Sequence, residues 1–325
     1  MPKISFVFRT DTHVADNSPS SWKGNYAEEI WSNLEQVGKF AREREVTAVL
    51  DGGDYFHVKA ASRNSHASIY RTVEIHDQYP CQTFCVEGNH DLAYNNLDSI
   101  RRQPLGVLYA SGVFQHLREQ VFTEGDLQVR VVGVPYQPNR TLEELRAIQK
   151  QPGDDFLVAV VHALASENPP PQVEDFFGEP VFKYADLVTE DGPDAWCFGH
   201  WHKDQGIVQV GGKTFINQGA VSRGALIHEN ITRTPQVSLI EFEKDMSFEL
   251  LPLVVAPPED VFDFEKKERV ESERKSVDLF VQRLQEDVNL DPSKTIEDNV
   301  GSLDFAKEVR DLALSYLDRA KEGVG

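Results

Sequence analysis

Residues 46–57 read Val-Thr-Ala-Val-Leu-Asp-Gly-Gly-Asp-Tyr-Phe-His, a short apolar run that passes directly into two glycines, an acid and a histidine. The run has the length and β-branched content of a buried strand, and glycine lets the backbone turn tightly after it. We therefore predict a strand over residues 46–50 that delivers Asp54 and His57 to its carboxyl end. Asp51, at the end of that strand, is predicted to be a turn residue.

Four further clusters of acids, histidines and one asparagine follow a fixed order along the chain. They are Asp11-Thr12-His13, Gly88-Asn89-His90-Asp91, His162 and Gly199-His200-Trp201-His202. Each cluster alone is a weak signal, because short motifs of this kind arise by chance. Together with the cluster at residues 53–57 they hold six of the ten histidines and supply the oxygen and nitrogen ligands that two divalent cations need.

The clusters predict seven metal ligands, which are Asp11, His13, Asp54, Asn89, His162, His200 and His202. Asp11 and His13 are two residues apart, so an extended backbone places both side chains on one face, and the same holds for His200 and His202. Ligation by oxygen and nitrogen without a thiolate argues against structural zinc and suits manganese, iron or a similar catalytic metal. Asp54 is the candidate to bridge two ions.

The same clusters predict three catalytic residues, which are His90, His57 and Asp91. Two ions about 4 Å apart can hold a hydroxide and neutralise charge on a phosphorus during in-line displacement. The leaving oxygen then needs a proton, and His90 is the candidate donor. We expect Asp91 to hold the His90 imidazole in one tautomer and raise its pKa, and His57 to contact the substrate phosphate.

Histidines outside the motifs are interpreted as structural, since a lone histidine is more often a satisfied core or surface residue than a ligand. They are His66, His76, His116 and His228. Trp201, between two candidate ligands, is interpreted as a packing residue rather than a stacking platform.

Short β-rich runs alternate with helical stretches over the first 260 residues, which predicts an α/β or α+β core. We predict helices at residues 26–45 and 62–79, and strands at residues 4–8, 82–86, 129–134, 156–161 and 195–198. Hairpin strands are predicted at residues 206–210, 214–217, 237–242 and 248–255, with Gly211-Gly212 as one turn. Each ligand cluster lies just past the carboxyl end of a predicted strand, where α/β sheets build their sites.

The formal charge of −20 works against indiscriminate binding to nucleic acid, which is driven by neutralisation of phosphates. It does not exclude a nucleic-acid substrate, because a local basic surface and two bound dications can reverse the field at a site. Seven basic residues near the motifs either form a modest phosphate-binding rim or are ordinary solvated charges; they are Lys23, Lys59, Arg63, Arg101, Arg102, Lys203 and Arg223.

Three cysteines, Cys81, Cys85 and Cys197, fit no disulfide framework, and we expect buried free thiols at Cys81 and Cys85. Free thiols predict a reducing cytoplasm. No apolar run approaches the roughly 20 residues of a membrane span, and the N-terminus reads as a first strand rather than a secretory signal. We therefore expect a cytoplasmic protein without a membrane partner.

At these residues the sequence resembles the calcineurin-like metallophosphoesterases, whose pattern is Asp-x-His, Gly-Asp-x-x-(Asp/His), Gly-Asn-His-(Asp/Glu), His and Gly-His-x-His. The resemblance covers about residues 1–260. Within that superfamily, Gly-Gly-Asp-Tyr-Phe-His at 52–57 is similar to the form typical of SbcD-type nucleases of double-strand-break repair, and so is the stretch at 252–262. The family fold implied is a four-layer α/β/β/α sandwich.

By matching positions, the resemblance implies two manganese sites. One would be held by Asp11, His13, Asp54 and His202, and the other by Asp54, Asn89, His162 and His200. It also implies that His90 is the catalytic proton donor and that His57 positions the substrate strand or contacts the transition state.

The resemblance further implies a manganese-dependent DNA exonuclease/endonuclease that works with an SbcC-type coiled-coil ATPase. Residues 261–325 are predicted to form a tail of two amphipathic helices, at 265–288 and 303–321. This tail either docks the ATPase coiled coil or covers the sandwich. A homodimer through helices 26–45 and 62–79 is a further expectation.

The sequence departs from the family pattern at three places. Arg9-Thr10 precedes Asp11 where small residues are usual, and the segment at 217–220 reads Asn-Gln-Gly-Ala rather than Asn-Pro-Gly-Ser. The chain also lacks room for a full DNA-capping domain between the last predicted strands and the tail.

Two other functions stay open. A small-substrate phosphoesterase, such as a nucleotidase or a cyclic-nucleotide phosphodiesterase, would share every ligand, and the acidic composition and the missing cap favour it. An inactive scaffold that kept the fold is a third alternative, against which stands the presence of the whole ligand set.

Overall fold

The structure is a computed structural model that describes residues 2–266, 268, 269, 295, 307, 311 and 314. The chain divides into two units, Met1–Val261 and Phe262–Gly325. Every strand and helix named below belongs to the first unit. The predicted tail helices at residues 265–288 and 303–321 lie almost wholly outside the described residues.

The strands are β1 (Ile4–Arg9), β2 (Ala48–Asp51), β3 (Thr83–Cys85), β4 (Phe114–His116), β5 (Glu119–Glu124), β6 (Leu127–Val134), β7 (Phe156–His162), β8 (Ala165–Ser166), β9 (Phe182–Lys183), β10 (Ala195–Gly199), β11 (Gly206–Val210), β12 (Lys213–Asn217), β13 (Gln236–Phe242) and β14 (Met246–Pro252). The α-helices are α1 (Tyr26–Glu43), α2 (His66–His76), α3 (Pro104–Ala110), α4 (Leu142–Arg146), α5 (Val173–Phe177), α6 (Tyr184–Leu187), α7 (His228–Thr232) and α8 (Pro258–Val261).

Two six-stranded mixed sheets form the centre of this unit. The first has the order β14-β13-β1-β2-β3-β4, and the second has the order β11-β12-β10-β7-β6-β5. In the first sheet β1 to β4 are parallel, and in the second β6, β7, β10 and β12 are parallel. Antiparallel pairing adds β13 and β14 at one edge of the first sheet, and β11 and β5 at the two edges of the second. Because parallel strands end at the same edge of a sheet, the loops after them are gathered together.

The two sheets pack face to face, with helices on both outer faces. Phe6 and Phe8 of β1 share a buried cluster with Val158 and Val160 of β7, so this cluster fills the space between the sheets. Val7, which points to the opposite face of β1, packs with Val37 of α1. On the outer side of the second sheet, α4 and α6 contribute to another buried cluster. The result is the predicted α/β/β/α order of layers.

Helix α2 begins later than its hydrophobic spacing predicts, at residue 66 rather than 62. The oxygen of Ser65 accepts a hydrogen bond from the backbone N–H of Ser68, which caps the helix. Ser65 is fixed in turn by the carboxylate of Asp16, which accepts hydrogen bonds from its backbone N–H and its hydroxyl. Because Asp16, which fixes the capping residue, is distant in the sequence, the residues of the helix do not show where it begins.

The predicted turn at Gly211-Gly212 is confirmed. The two residues have φ values of 58° and 78°, which favour glycine, and they join Val210 to Lys213 in the hairpin of β11 and β12. The hairpin of β5 and β6 was not predicted, because its first strand is polar and half exposed.

The cysteines are free: Cys85 and Cys197 are buried and Cys81 is half-buried. Burial raises the pKa of the Cys85 thiol well above its usual value. Among the described residues, no helix combines the length and the apolar character needed to cross a membrane. The cytoplasmic location stays a prediction.

Arg9 and Asp51 form a fully buried ion pair at the ends of β1 and β2, with Arg9 Nε 2.7 Å from Asp51 Oδ2. The guanidinium also donates to the hydroxyl of Tyr79 and contacts His76 Nε2 at 2.9 Å. The other oxygen of Asp51 accepts a hydrogen bond from the backbone N–H of Gly53 at 3.0 Å. Asp51 is therefore a turn residue, as predicted, and also the counter-charge of Arg9. This ion pair explains why position 9 is an arginine where the family pattern has a small residue.

We predict that Asp51→Asn lowers the free energy of unfolding by about 3–5 kcal/mol, because it leaves the buried guanidinium of Arg9 without a counter-charge. The measurement is urea denaturation monitored by circular dichroism. Glu241→Gln is the matched control, since Glu241 pairs with Lys3 at the surface and should contribute about 1 kcal/mol or less. Equal losses in the two variants would contradict the prediction.

Candidate metal centre

The structure brings all seven predicted metal ligands to one edge of the sandwich. β1, β2 and β3 of the first sheet lead into Asp11 and His13, Asp54 and Asn89, respectively. β7 and β10 of the second sheet lead to His162 and to His200 and His202. Because the strands within each set are parallel, these residues meet where the carboxyl ends of both sheets converge.

Four of the ligands form a first group, made of Asp11, His13, Asp54 and His202. Each offers one oxygen or nitrogen atom, and these atoms all lie within 4.8 Å of one another. His13 Nε2 lies 2.9 Å from His202 Nε2 and 3.7 Å from Asp54 Oδ2. Two carboxylates and two imidazoles in this arrangement fit a divalent cation.

A second group consists of Asp54, His162 and His200, with Asn89 beside it. His162 Nε2 lies 3.5 Å from Asp54 Oδ2 and 3.3 Å from Asn89 Oδ1. His162 Nδ1 donates a hydrogen bond to the carbonyl of Gly52 at 2.6 Å, which leaves Nε2 as the nitrogen that faces the group. Asp54 belongs to both groups, as a bridging ligand must.

Electrostatic attraction links Asp54 and His162. Burial by itself would lower the pKa of His162, but the negative charge of Asp54 raises it to about 9. Burial would raise the pKa of Asp54, yet the charge of His162 and its hydrogen bond hold that pKa well below the usual range. A carboxylate that stays ionised while buried is suited to bind cations.

Two further histidines, His57 and His90, converge on His13 of the first group. His90 Nδ1 donates a hydrogen bond to the carbonyl of His57 at 2.6 Å, and the rings of these two residues stack with centroids 5.2 Å apart. The backbone N–H of His90 donates to Asp54 Oδ1 at 2.7 Å. This arrangement fixes the tautomer of neutral His90 and leaves its Nε2 available for a proton transfer.

Asp91 makes contacts that differ from the expected pairing with the His90 ring. Its Oδ2 accepts hydrogen bonds from the backbone N–H groups of Gly88 at 3.0 Å and Tyr55 at 3.3 Å, and its Oδ1 accepts one from Phe56 at 3.1 Å. The carboxylate therefore joins the loop after β3 to the loop after β2. The orienting contact on His90 comes from the carbonyl of His57 instead, and Asp91 positions the two loops that carry the site.

The backbone around the ligands adopts conformations that are rare for residues with side chains. Asp11, His13, Asp54 and His200 have φ values of 53°, 51°, 54° and 91°. Such left-handed conformations cost about 1–3 kcal/mol each and persist only where surrounding contacts enforce them. Here the loops after β1 and β2 pair with each other, through hydrogen bonds from Asp11 N to Gly53 O and from His13 N to Asp54 O, both at 3.0 Å.

Glu179 and Tyr136 complete the site and were not found from the sequence. Glu179 Oε2 accepts a hydrogen bond from His200 Nε2 at 3.1 Å, and Oε1 accepts one from the hydroxyl of Tyr136 at 2.6 Å. Burial would raise the pKa of Glu179, but these hydrogen bonds lower it. With Nε2 directed at Glu179, His200 presents Nδ1 as its second nitrogen. Glu179 lies in an irregular loop, where no spacing marks it as part of a site.

Two cavities adjoin the ligands. The first, called the aromatic cavity here, has a volume of about 650 Å³ and is bordered by Phe176, Phe177 and Trp201. The second, called the cationic cavity, has a volume of about 620 Å³ and is bordered by Lys59 and Arg63. Residues that line both are His90, His202, Ile227 and Asn230. His90 thus stands where the two cavities meet.

Only three of the seven residues of the predicted basic rim line the two cavities, and their binding of phosphate stays a prediction. Lys59 and Arg63 line the cationic cavity, and Lys203 lines the aromatic cavity. Arg223 is buried and pairs with Glu29, with Arg223 Nε 3.0 Å from Glu29 Oε1, so its predicted place in the rim is wrong.

The other predicted rim residues lie outside both cavities. Lys23 donates to the carbonyl of Glu259. Arg101 and Arg102 are exposed at the end of a 3₁₀ turn, Leu97–Arg102, and line neither cavity.

Two of the four histidines without a motif have structural partners. His76 is buried between Arg9 and the carbonyl of Thr72. His116 contacts Glu87 and stacks on the ring of Tyr109.

Comparison with known proteins supports this fold. A search of curated proteins found no match. Among solved structures, a dimetal phosphatase from Danio rerio is similar with a TM-score of 0.54 and 13% identity, over 78% of this chain and 98% of that one. The phosphoesterase YfkN from Bacillus subtilis gives a TM-score of 0.45 and 13% identity, over 80% and 94% of the two chains.

The sulfate thiohydrolase SoxB from Thermus thermophilus gives a TM-score of 0.45 and 14% identity over 82% of this chain. This chain spans only 59% of SoxB. The sequence itself matches the calcineurin-like phosphoesterase family over residues 4–204, which is well over half of its length. The chain therefore belongs to the calcineurin-like phosphoesterase family.

Proposed function

We propose that this protein is a phosphodiesterase whose substrate is DNA. It uses two divalent metal ions, which we expect to be manganese. The observation that carries the proposal is the position of Asp54, which lies in both ligand groups while the adjacent His90 lines both cavities. Residues that would hold one ion are Asp11, His13, Asp54 and His202, and those that would hold the other are Asp54, Asn89, His162 and His200. When bound, such a pair of ions activates water and neutralises charge on a phosphorus undergoing in-line displacement.

His90 is the proton donor in this proposal. Its Nδ1–H is committed to the carbonyl of His57, so the imidazolium form of His90 is the one that offers a proton on Nε2 to the leaving oxygen. The ring is partly exposed at the junction of the cavities, where a leaving group has to depart. His57, whose ring stacks on that of His90, would contact the substrate phosphate.

Surroundings of the centre favour a diester that extends to both sides of the scissile bond. Lys59 and Arg63 border the cationic cavity and offer charges for a neighbouring phosphate of a nucleic-acid strand. The aromatic cavity, on the other side of the metal centre, offers the rings of Phe176, Phe177 and Trp201. Together with the SbcD-like signature at residues 52–57, this supports an exonuclease/endonuclease in preference to a monoesterase.

The partners follow from the same proposal. An SbcC-type ATPase would bind through the predicted tail helices at residues 265–288 and 303–321, and a homodimer would form through α1 and α2. No observed contact bears on either partner, and both stay predictions.

A small-substrate phosphoesterase, such as a nucleotidase or a cyclic-nucleotide phosphodiesterase, is the second candidate. The aromatic cavity of about 650 Å³ has the size of a pocket for one small ligand, and the net charge of −20 opposes binding of long nucleic acids. The inactive scaffold is disfavoured because all seven candidate ligands are present and close together.

We predict that His90→Ala reduces turnover by about 10²–10⁴-fold, because the leaving oxygen loses its proton donor, while two metal ions per chain remain bound. Manganese-loaded protein would be assayed on end-labelled double-stranded DNA, a chromogenic phosphodiester and a nucleoside monophosphate, with metal content measured by mass spectrometry. His66→Ala, an exposed histidine outside the site, is the control. Cleavage of only the two small substrates would overturn DNA as the substrate, and unchanged turnover in His90→Ala would remove its role.

Metal titration of single variants tests the bridging position of Asp54. We expect Asp54→Asn to weaken both manganese sites, because one carboxylate serves both groups. His202→Ala should weaken only one site and Asn89→Ala only the other. Isothermal titration calorimetry of the metal-free protein resolves the two sites, and loss of a single site in Asp54→Asn would rule out a shared ligand.

Glu179→Ala should lower manganese affinity or activity by about 10–100-fold, because His200 loses the acceptor that orients its ring. Glu167→Ala is the control, since Glu167 is exposed and lies in the same segment between β8 and β9. Calorimetric titration with Mn²⁺ provides the measurement. Matching affinities in the two variants would show that His200 needs no such partner.

A further inference from the structure

Helix α5 presents two phenylalanines at the surface, which is unusual for this residue type. Phe176 is 82% exposed and Phe177 is 37% exposed. The helix ends directly after them at Gly178, which adopts a left-handed conformation with φ of 68° and so closes the helix. Exposed apolar side chains that lie next to each other mark surfaces that receive a ligand or partner.

These rings form one wall of the aromatic cavity. The ring centroids of Phe176 and Phe177 are 5.0 Å apart at an interplanar angle of 88°, and Phe177 lies 6.1 Å from Trp201. Phe177 also lies 6.4 Å from the ring of His200, a candidate metal ligand. The rings therefore lead without interruption to the proposed metal centre.

Polar groups and candidate ligands occupy the remaining walls. Asp54 and Asn89 stand at the end of the cavity that belongs to the metal centre. Glu229 and Lys203 also line the cavity and offer a hydrogen-bond acceptor and a donor. A mainly apolar pocket of about 650 Å³ with a few polar groups has the composition and size of a site for one small organic group.

We propose that the aromatic cavity binds a nucleobase that is joined through its sugar to the phosphorus under attack. This inference rests on the proposed phosphoester hydrolysis and names the substrate group that the site selects. Aromatic side chains favour a planar π-system, and acceptor and donor groups such as Glu229 and Lys203 match the polar edge of a base. An aliphatic chain would use neither feature. A mononucleotide and the end of a DNA strand share this chemistry.

Binding to the metal-free full-length chain tests the subsite separately from catalysis. The probes are adenosine 5′-monophosphate and ribose 5-phosphate, compared by isothermal titration calorimetry. Stacking predicts tighter binding of the nucleotide by about 5–150-fold. Phe177→Ala should abolish most of this preference and Phe177→Tyr should retain it. Equal affinity of the wild-type chain for both probes would overturn the inference.

Tyr70→Ala is the control, because Tyr70 is 65% exposed on α2 and lines neither cavity. It should keep the full preference for the nucleotide. If Tyr70→Ala lost the preference to the same extent as Phe177→Ala, the effect would not come from the cavity and the inference would fail.

A kinetic arm separates this inference from the proposed function. If the manganese-loaded protein hydrolyses no phosphoester while the nucleotide preference persists, the proposed function fails and the base-binding subsite stands. If hydrolysis is observed and the preference is missing, the phosphoesterase stands and the subsite fails.

A short DNA duplex with an abasic terminal residue distinguishes the two sources of the base. Weaker binding than to the intact duplex supports a DNA end as the occupant. Equal binding of the two duplexes, together with the nucleotide preference, supports a mononucleotide.

Discussion

At their common carboxyl edge the two sheets approach so closely that no side chain fits at Gly199. A Cβ atom there would lie 2.2 Å from Thr10 Oγ1 and 2.6 Å from the carbonyl of Gly52, both of the opposite sheet. This proximity is what allows His13 and His202, 189 residues apart in the sequence, to bring their ring nitrogens within 2.9 Å of each other.

Such close approach has a conformational cost, and the rest of the structure offsets it. Four of the candidate ligands hold left-handed backbone conformations, which unsupported loops would not maintain. Asp91 connects two of the loops through three backbone N–H groups, and the Arg9–Asp51 pair anchors the turn at Gly53 from behind. Buried residues that line neither cavity therefore decide where the ligands stand.

Most of the fold could be predicted from the sequence, since the strands are apolar runs and the ligands follow them in short motifs with fixed spacing. Asp54 and Asn89 are examples, because a glycine directly before each of them marks both the turn and the ligand. Glu179 could not be found in this way, as it reaches His200 across an irregular loop. The prediction that Arg223 belongs to the basic rim was wrong, because closeness to a motif in the sequence does not reveal a distant partner. Its partner Glu29 lies 194 residues away.

The aromatic cavity and the cationic cavity have different walls, so the two ends of the site are chemically unlike. Rings and carboxylates border one side of His90, and Lys59 and Arg63 border the other. A substrate that reaches into both cavities meets different chemistry at its two ends. For the proposed strand substrate, the two directions of the strand would therefore be inequivalent, because the unlike walls of the two cavities would set the orientation in which the strand enters.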